Sequence, residues 1–438
     1  MIEKPTKMRM VLVIVVYLSL FLDNVLLTVV VPIIPDYLCN IYNYNNSTSN
    51  KEDDENERVG WLLSSKALIQ LILNPVVGTF TEKIGYAKPL LFGNLSLLLA
   101  ALIFAFGRTY ELLFMARSIQ GVSSACIGVS GMSLVASQYP DEEERSKIMG
   151  FVLGSIALGV LVGYPIGSIL YDIEGKEAPF LLIALLIFLP ICLQMLNVNI
   201  DLNSSTIENT SHETHWRSLL TRGSIIIVAG AILSSTIPIA ILESCLPIWL
   251  RSHIKPKKWQ LGIVFIPDSI GYLLGTNFFG MIAFRYGRCK TAVFAMMLIS
   301  ISVIILPSAM TMSQLIFPHL GMGLGIGIAD AALVPLLASF VDQDGNYGPV
   351  YSIQQIAVSL AYSLGPIVGS ELVRAIGFQW VMRSVGLINL LYCPFLIYLA
   401  LTRKNVFLNT NNDNNKKEYD SIKTGFEYNR FHDSDDDL

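Results

Sequence analysis

Charge is scarce in this chain. Of 438 residues only 15% are Asp, Glu, Lys or Arg, while 53% are hydrophobic. Soluble domains carry about one quarter charged residues, so a string of ordinary water-soluble domains is excluded. Cysteine is sparse too: there are six, and all but Cys39 fall in or beside apolar runs, which excludes a disulfide-stapled scaffold. No glycine-rich nucleotide loop, metal-ligand cluster or catalytic triad stands out. The chain is therefore not read as an enzyme, and no cofactor, metal or nucleic-acid partner is expected. A cleavable signal peptide is not expected either, because the first apolar run is too long and no small-residue cleavage site follows it.

What the chain has instead is long apolar runs. Twelve reach membrane length, at about 10–35, 59–81, 88–107, 110–138, 147–171, 178–199, 223–250, 259–283, 290–310, 312–340, 348–375 and 378–402. The fold class expected is an all-α membrane protein with twelve transmembrane helices. Basic residues set the orientation. Lys4, Lys7, Arg9, Lys83, Lys88, Arg145, Lys147, Arg217, Arg222, Arg285, Arg288, Lys290, Arg403 and Lys404 all fall on one side, which predicts cytosolic termini. The 7–8 loop, with Arg251, Lys255, Lys257 and Lys258, is the exception. Residues 1–9 form the expected cytosolic N-terminus, 10–199 a first six-helix half with a polar far-side loop at 36–58, and 200–222 a cytosolic linker. Residues 223–402 form a second half, and 403–438 a polar tail too poor in apolar residues to fold. Asn45 and Asn46 lie in sequons of the far-side loop.

Five ionisable residues interrupt the apolar runs: Asp23, Lys66, Arg117, Glu243 and Asp330. A charge in hydrocarbon costs several kcal/mol, on the order of 3 or more, so such residues face a protein interior or a wet path. Asp23 lies twelve residues after Val11, roughly 18 Å along a helix and near the midplane. A carboxylate there suits a cationic amine or a proton, and Asn24 adds a donor and an acceptor. Lys66, Gln70 and Asn74 recur every fourth residue and line one face of span 2. Arg117, Gln120, Ser124 and Gly128 form a similar stripe on span 4. Asp330 stands beside Gly325 and Gly327, which allow close helix approach and hydration. It is the leading candidate for proton coupling. Tyr272 and Tyr362 suit a cation or an aryl ring, and Trp249, near the far-side mouth, suits a gate.

A repeat divides the chain. Gly78, Lys83 and Gly85 follow span 2, and Gly280, Arg285 and Gly287 follow span 8 with the same spacing. Gly163 and Gly167 on span 5 match Gly365 and Gly369 on span 11. Both sets are 202 positions apart (280 − 78 and 365 − 163). Two pairs at one offset predict two six-helix halves in the same orientation, the parallel repeat of the major facilitator architecture, with substrate near the midplane between them.

The residues between Gly78 and Gly85, with Glu82-Lys83, resemble the major facilitator loop signature. Gly159, Gly163, Pro165 and Gly167 resemble its antiporter glycine–proline motif. Leu22-Asp23-Asn24 through Pro35 resembles the first span of the vesicular monoamine transporter family. So do Ser65-Lys66-Ala67 with Gln70, Ala116-Arg117-Ser118-Ile119-Gln120-Gly121, Leu246-Pro247-Ile248-Trp249, and Tyr272-Leu273-Leu274-Gly275-Thr276-Asn277. The vesicular acetylcholine branch is similar in Leu364-Gly365-Pro366 and Asn389-Leu390-Leu391-Tyr392.

The resemblance implies a proton-coupled antiporter that loads cationic monoamines such as serotonin and dopamine from cytosol into acidic secretory or synaptic vesicles. Its partners would be a small cationic amine, protons and membrane lipid, with protons as the coupling ion. A monomer is expected, and Tyr419-Asp420-Ser421-Ile422 in the tail resembles a signal for sorting adaptors. The resemblance makes Glu243 a contact for the substrate amine or its hydroxyls. Other readings stay open: carriage of acetylcholine, a polyamine or another organic cation, or a receptor-like relative that does not transport. Three departures stand out. Gln355 replaces the family's acid on span 11, the ion partner of the lysine matching Lys66, so Lys66 must pair elsewhere, with Asp23, or sit neutral. Asp268 occupies a usually small, apolar position one turn before Tyr272, and is expected to replace the missing charge in part or to reshape amine recognition. Cys39 lacks its expected partner in the 7–8 loop, so no lumenal disulfide is expected.

Overall fold

The computed structural model describes residues 6–45, 52–196, 219–254, 263–342 and 345–402. Twelve α-helices make up the described chain. The first half holds α1 (Thr6–Asn45), α2 (Glu52–Ile84), α3 (Ala87–Phe106), α4 (Tyr110–Gln138), α5 (Glu142–Glu174) and α6 (Glu177–Leu196). The second holds α7 (Gly223–His253), α8 (Ile266–Tyr286), α9 (Arg288–Ile305), α10 (Met312–Ser339), α11 (Gly348–Ile376) and α12 (Phe378–Leu391). After a turn at Tyr392, residues 393–402 are helical as well. Ten of the helices are long and apolar enough to cross a membrane by length and composition. The other two, α2 and α8, carry Lys66, Gln70 and Asn74, and Asp268 and Asn277.

The helices start and stop where local chemistry directs. Thr109, Asp141 and Thr311 cap α4, α5 and α10, each side chain accepting a backbone N–H of the first turn. Three acids, Glu142 to Glu144, follow Asp141 in the first turn of α5, where the helix dipole favours negative charge. The region predicted as a far-side loop at 36–58 is shorter than expected: α1 runs on to Asn45 and α2 begins at Glu52. No Gly or Pro occurs between 36 and 45 to end the helix. The side chains of Cys39 and Asn45, all of Asn46, the linker residues 197–218, Lys255, Lys257 and Lys258, and the tail from 403 with its sorting-like pattern lie outside the described residues.

The repeat reappears in the backbone. Gly85 and Gly287 end α2 and α8 with φ of 81° and 101°, and Gly175 and Gly377 end α5 and α11 with φ of 82° and 85°. Only glycine adopts such values without strain. Both pairs are 202 apart (287 − 85 and 377 − 175). The two halves cross in matching fashion. A Cβ on Gly78 of α2 would lie 2.6 Å from Ser352 of α11, and one on Gly280 of α8 would lie 2.7 Å from the Ser146 carbonyl and 3.8 Å from Gly150 of α5. Adding 202 to residues 78 and 150 gives 280 and 352, so the two crossings are counterparts. Tyr351 donates to Met149 Sδ at 3.4 Å, again across 202 positions. A residue meets its own counterpart only beside a two-fold axis, so this contact marks the pseudo-two-fold between the halves.

The outer surface is apolar. Phe92 (56% exposed), Leu185 (67%), Phe317 (78%) and Leu391 (63%) point away from the bundle. So broad an exposed apolar belt suits lipid rather than water. The face on which α1 begins, here the near face, is tied across the halves by polar bonds. Arg145 holds Asp342 with two bonds of 2.7 Å, and Tyr347 donates to the same carboxylate at 3.0 Å. Arg288 pairs with Glu142 at 3.2 Å and donates to Ser146 at 2.9 Å. Asn346 donates to Glu82 at 2.7 Å, and the Tyr347 N–H donates to the Tyr86 hydroxyl at 3.1 Å.

Candidate functional site

A charged chamber forms where the two halves meet above this latch. In the first half, Asp23 of α1 is buried and held by Ser124 of α4, whose hydroxyl is 2.7 and 2.8 Å from the two carboxylate oxygens. Lys66 of α2 is buried beside it, 3.7 Å from Asp23 Oδ2. Gln120 donates to the Asp23 carbonyl at 3.4 Å and accepts from Arg117 at 2.8 Å. Lys66 thus has a carboxylate partner although Gln355 stands on α11. The rest of the α2 stripe reaches the other half: Gln70 donates to Gln355 at 3.3 Å, and Asn74 to Ser359 at 3.0 Å. Gly128, last of the α4 stripe, leaves room for the Gln355 amide, which a Cβ would meet at 2.8 Å.

In the second half, α8 and α10 lie backbone to backbone. Gly271 and Gly275 on α8 face Gly323 and Gly327 on α10. A Cβ on Gly275 would lie 2.7 Å from the Leu324 carbonyl, and one on Gly327 2.5 Å from the Tyr272 carbonyl. Small residues spaced by four permit this approach. The close crossing brings Tyr272 to Asp330, whose Oδ2 accepts the phenol O–H at 2.7 Å. Tyr362 of α11 lies within electrostatic reach of Asp330, Glu243 and Asp268. Glu243, well inside the 31-residue α7, is nonetheless solvent-exposed. It also feels the charges of Lys66 and Arg117 from the opposite half. A group that is both accessible and ringed by charges from two halves lines an open cavity rather than lipid. Among the described residues, none makes a hydrogen bond or ion pair to Glu243.

The remaining predicted residues divide. Asn24 turns its amide to the Leu20 carbonyl of its own helix at 2.8 Å, which spends one donor. Gly159, Gly163 and Gly167 pack α5 on α1. A Cβ on Gly159 would lie 2.6 Å from the Phe21 carbonyl, and one on Gly163 would strike Thr28. Pro165 lies between them in an unbroken α5. Trp249 is not brought to the chamber: it is buried within the second half, stacked on Phe378 at 4.9 Å and His253 at 5.0 Å. One chamber residue goes unnamed in the sequence reading. Tyr164, inside the glycine–proline motif of α5, lies within electrostatic reach of Glu243, Arg117 and Asp268. An aromatic in the middle of a motif otherwise built of small residues is the signal that marks it.

The chain resembles known proteins along nearly its whole length. The family model of the Major Facilitator Superfamily matches residues 13–265 and 239–427. The human synaptic vesicular amine transporter is 36% identical, over 91% of this chain and 89% of its own. The human chromaffin granule amine transporter is 40% identical over 79% of this chain and 66% of its own. A probable vesicular acetylcholine transporter of Danio rerio is 38% identical over 91% and 81%. Among solved structures, the human organic anion transporter MFSD10 (TETRAN) superposes with a TM-score of 0.69 at 17% identity, covering 90% of this chain and all of that one, a likeness of fold alone. With the twelve-helix repeat and the charged chamber already in place, these matches assign the chain: it belongs to the vesicular amine transporter family of the major facilitator superfamily.

Proposed function

We propose that the protein is a proton-coupled antiporter that loads cationic monoamines from the cytosol into acidic vesicles by alternating access. The observation that carries the reading is the unpaired, water-accessible Glu243 set opposite an ion-paired Lys66–Asp23 couple in the other half. An ammonium group entering the chamber meets a carboxylate that no described residue bonds, and the tyrosine faces of Tyr272 and Tyr362 add cation–π attraction. Asp330, bonded to Tyr272 on the same wall, is the proton-coupling carboxyl. Protonation from an acidic lumen removes negative charge from the chamber and weakens amine binding. Deprotonation toward the cytosol resets it. Each pH unit coupled to one proton supplies about 1.4 kcal/mol, roughly a tenfold concentration ratio.

The near face, joined by Arg145–Asp342 and its neighbours, is the cytosolic face in this reading, so the structure corresponds to the lumen-facing state. Rocking of the halves about the α2–α11 and α5–α8 crossings opens the other side. The test is uptake of radiolabelled serotonin and dopamine into proteoliposomes acidified inside, with wild type and Asp330→Asn side by side. Gradient-driven accumulation by wild type and its loss in Asp330→Asn, with equilibrium binding retained, is expected. Accumulation that ignores the gradient would overturn the proton coupling.

A further inference from the structure

The interior of the second half holds three buried polar groups that no described residue bonds. His319 of α10 is fully buried, and neither ring nitrogen has a hydrogen-bond partner. Asp268, in the first turn of α8, keeps Oδ1 wholly buried and without a donor. Trp249 of α7 is buried with its indole N–H unanswered. The three share one neighbourhood. His319 stands edge-on to Phe265, with ring centroids 5.8 Å apart. Phe265 and Tyr272 pack on one apolar cluster with Trp249, and that cluster includes Leu315 and Met322 on either side of His319. Gly323, one turn after His319, lets the Asp268 backbone touch α10, since any side chain there would strike it. Tyr272, one turn after Asp268, donates to Asp330 at 2.7 Å. His319 and Asp330 are eleven residues apart (330 − 319), three helical turns and roughly 16 Å, so both lie on one side of α10. Other ionisable groups near this line are few. Glu243 of α7 and Tyr362 of α11 line the chamber, and α9 carries none beyond Lys290. His253 stacks on Trp249 at the far end of α7. Glu371 and Arg374 of α11 are exposed, and Arg383 of α12 is turned to Ser308 and the Trp380 ring. A buried polar group without a protein partner is costly and calls for an explanation. Buried sites of this kind hold internal water, and Asp and His inside spanning helices mark proton relays.

We propose that these groups line a file of internal water along the α8–α10 seam, by which lumenal protons reach Asp330 without crossing the amine chamber, with His319 as the relay. This rests on the proton-coupled reading above and names the proton's route. A hydronium on the far side gives a proton to the bare nitrogen of the neutral imidazole, and the N–H on the other nitrogen gives one through water to Asp268 Oδ1. The Asp268 proton passes to the Tyr272 oxygen as the Tyr272 O–H proton passes to Asp330. Each hop takes in one proton and gives up one, and rotation of the ring resets His319. The Trp249 N–H donates to water at the head of the file and does not titrate. The separate route has a use: an amine seated at Glu243 fills the open approach to Asp330. A proton arriving through the seam reaches Asp330 while the amine is still bound, and so drives its release.

The test uses the full-length chain in proteoliposomes. Serotonin counterflow exchanges labelled for unlabelled amine and needs no net proton movement, whereas gradient-driven uptake does. His319→Asn keeps a polar side chain that cannot relay a proton. Counterflow and equilibrium binding near the wild-type level are expected, with gradient-driven uptake slower by about tenfold or more. The double variant His319→Asn/Asp268→Asn should be no slower than the slower single variant, because the two residues act in series. Unchanged uptake in His319→Asn overturns the proposal, and so does a loss of counterflow equal to the loss of uptake, which would make the residue a packing element. Where His319→Asn does not fold, Trp249→Phe keeps an aromatic ring and removes the N–H. It should slow uptake and spare counterflow, and wild-type uptake in that variant overturns the proposal. Absence of gradient-driven uptake in the wild type would instead remove the proton-coupled reading, so the two failures are distinguishable.

Discussion

At the scale of single residues, the site depends on charges that answer one another inside protein. Lys66 and Asp23 are both buried and 3.7 Å apart. Removing one partner strands the other, a loss of about 3–5 kcal/mol in buried pairs. Lys66→Met is therefore expected to lower the melting temperature in detergent sharply, and the double variant Lys66→Met/Asp23→Asn to recover part of that loss. Two additive losses would show that the pair is not coupled. A different lysine carries a pH prediction outside the membrane. Lys176, in the turn between α5 and α6, is buried, donates to the Gly107 carbonyl and lies 4.1 Å from the Tyr37 ring. Burial pushes its ammonium down to about 8, against the pull of Glu177 and with that of Arg108. Below about 8 the lysine is charged in both folded and unfolded chains, and its burial penalty is present in full. Between about 8 and its unfolded value near 10.4 the unfolded chain binds the extra proton, so stability rises with pH. Melting curves from pH 7.5 to 10 should show that rise in wild type and a smaller one in Lys176→Met.

At the scale of helices, glycine spacing positions the chemistry. The α8–α10 crossing places Tyr272 within 2.7 Å of Asp330 because four glycines let two backbones touch. Gly275→Leu or Gly327→Val forces the helices apart, which costs about 1–3 kcal/mol in packed cores. The expected result is loss of gradient-driven uptake in a protein that still purifies as a monodisperse species; normal uptake would show that the contact has slack. This level of structure was readable in part. The polar stripes of α2 and α4 follow from four-residue spacing, and both run into the Asp23 and Gln355 contacts. Gly327 beside Asp330 was visible as well. That Gly271 and Gly275 are its partners is not legible, because a small-residue spacing names a helix face and not the helix it meets. Trp249 shows the opposite limit. Its place near the end of a span suggested a mouth, but which side of α7 it occupies depends on packing against Phe378, and no local pattern encodes that.

At the scale of the whole molecule, the sequence offset of 202 becomes a physical axis. The paired positive-φ glycines, the matched crossings at Gly78 and Gly280, and the Tyr351–Met149 contact all follow from it. The near-face latch does not, since Arg145 and Asp342 lie 197 positions apart and meet across the halves. Arg145→Ala removes both bonds to Asp342 and should shift the population toward a state open on the near face. Spin labels on the near-face ends of α4 and α10 would then show longer distances than in wild type, and an unchanged distribution would show that the latch carries little of the balance. The account as a whole rests on a cation held between the halves at Glu243. Equilibrium binding of tritiated serotonin to purified wild type and Glu243→Gln tests this most directly. Loss of the charged partner predicts affinity weaker by about tenfold to a hundredfold in the variant; equal affinity in the two proteins would contradict the account.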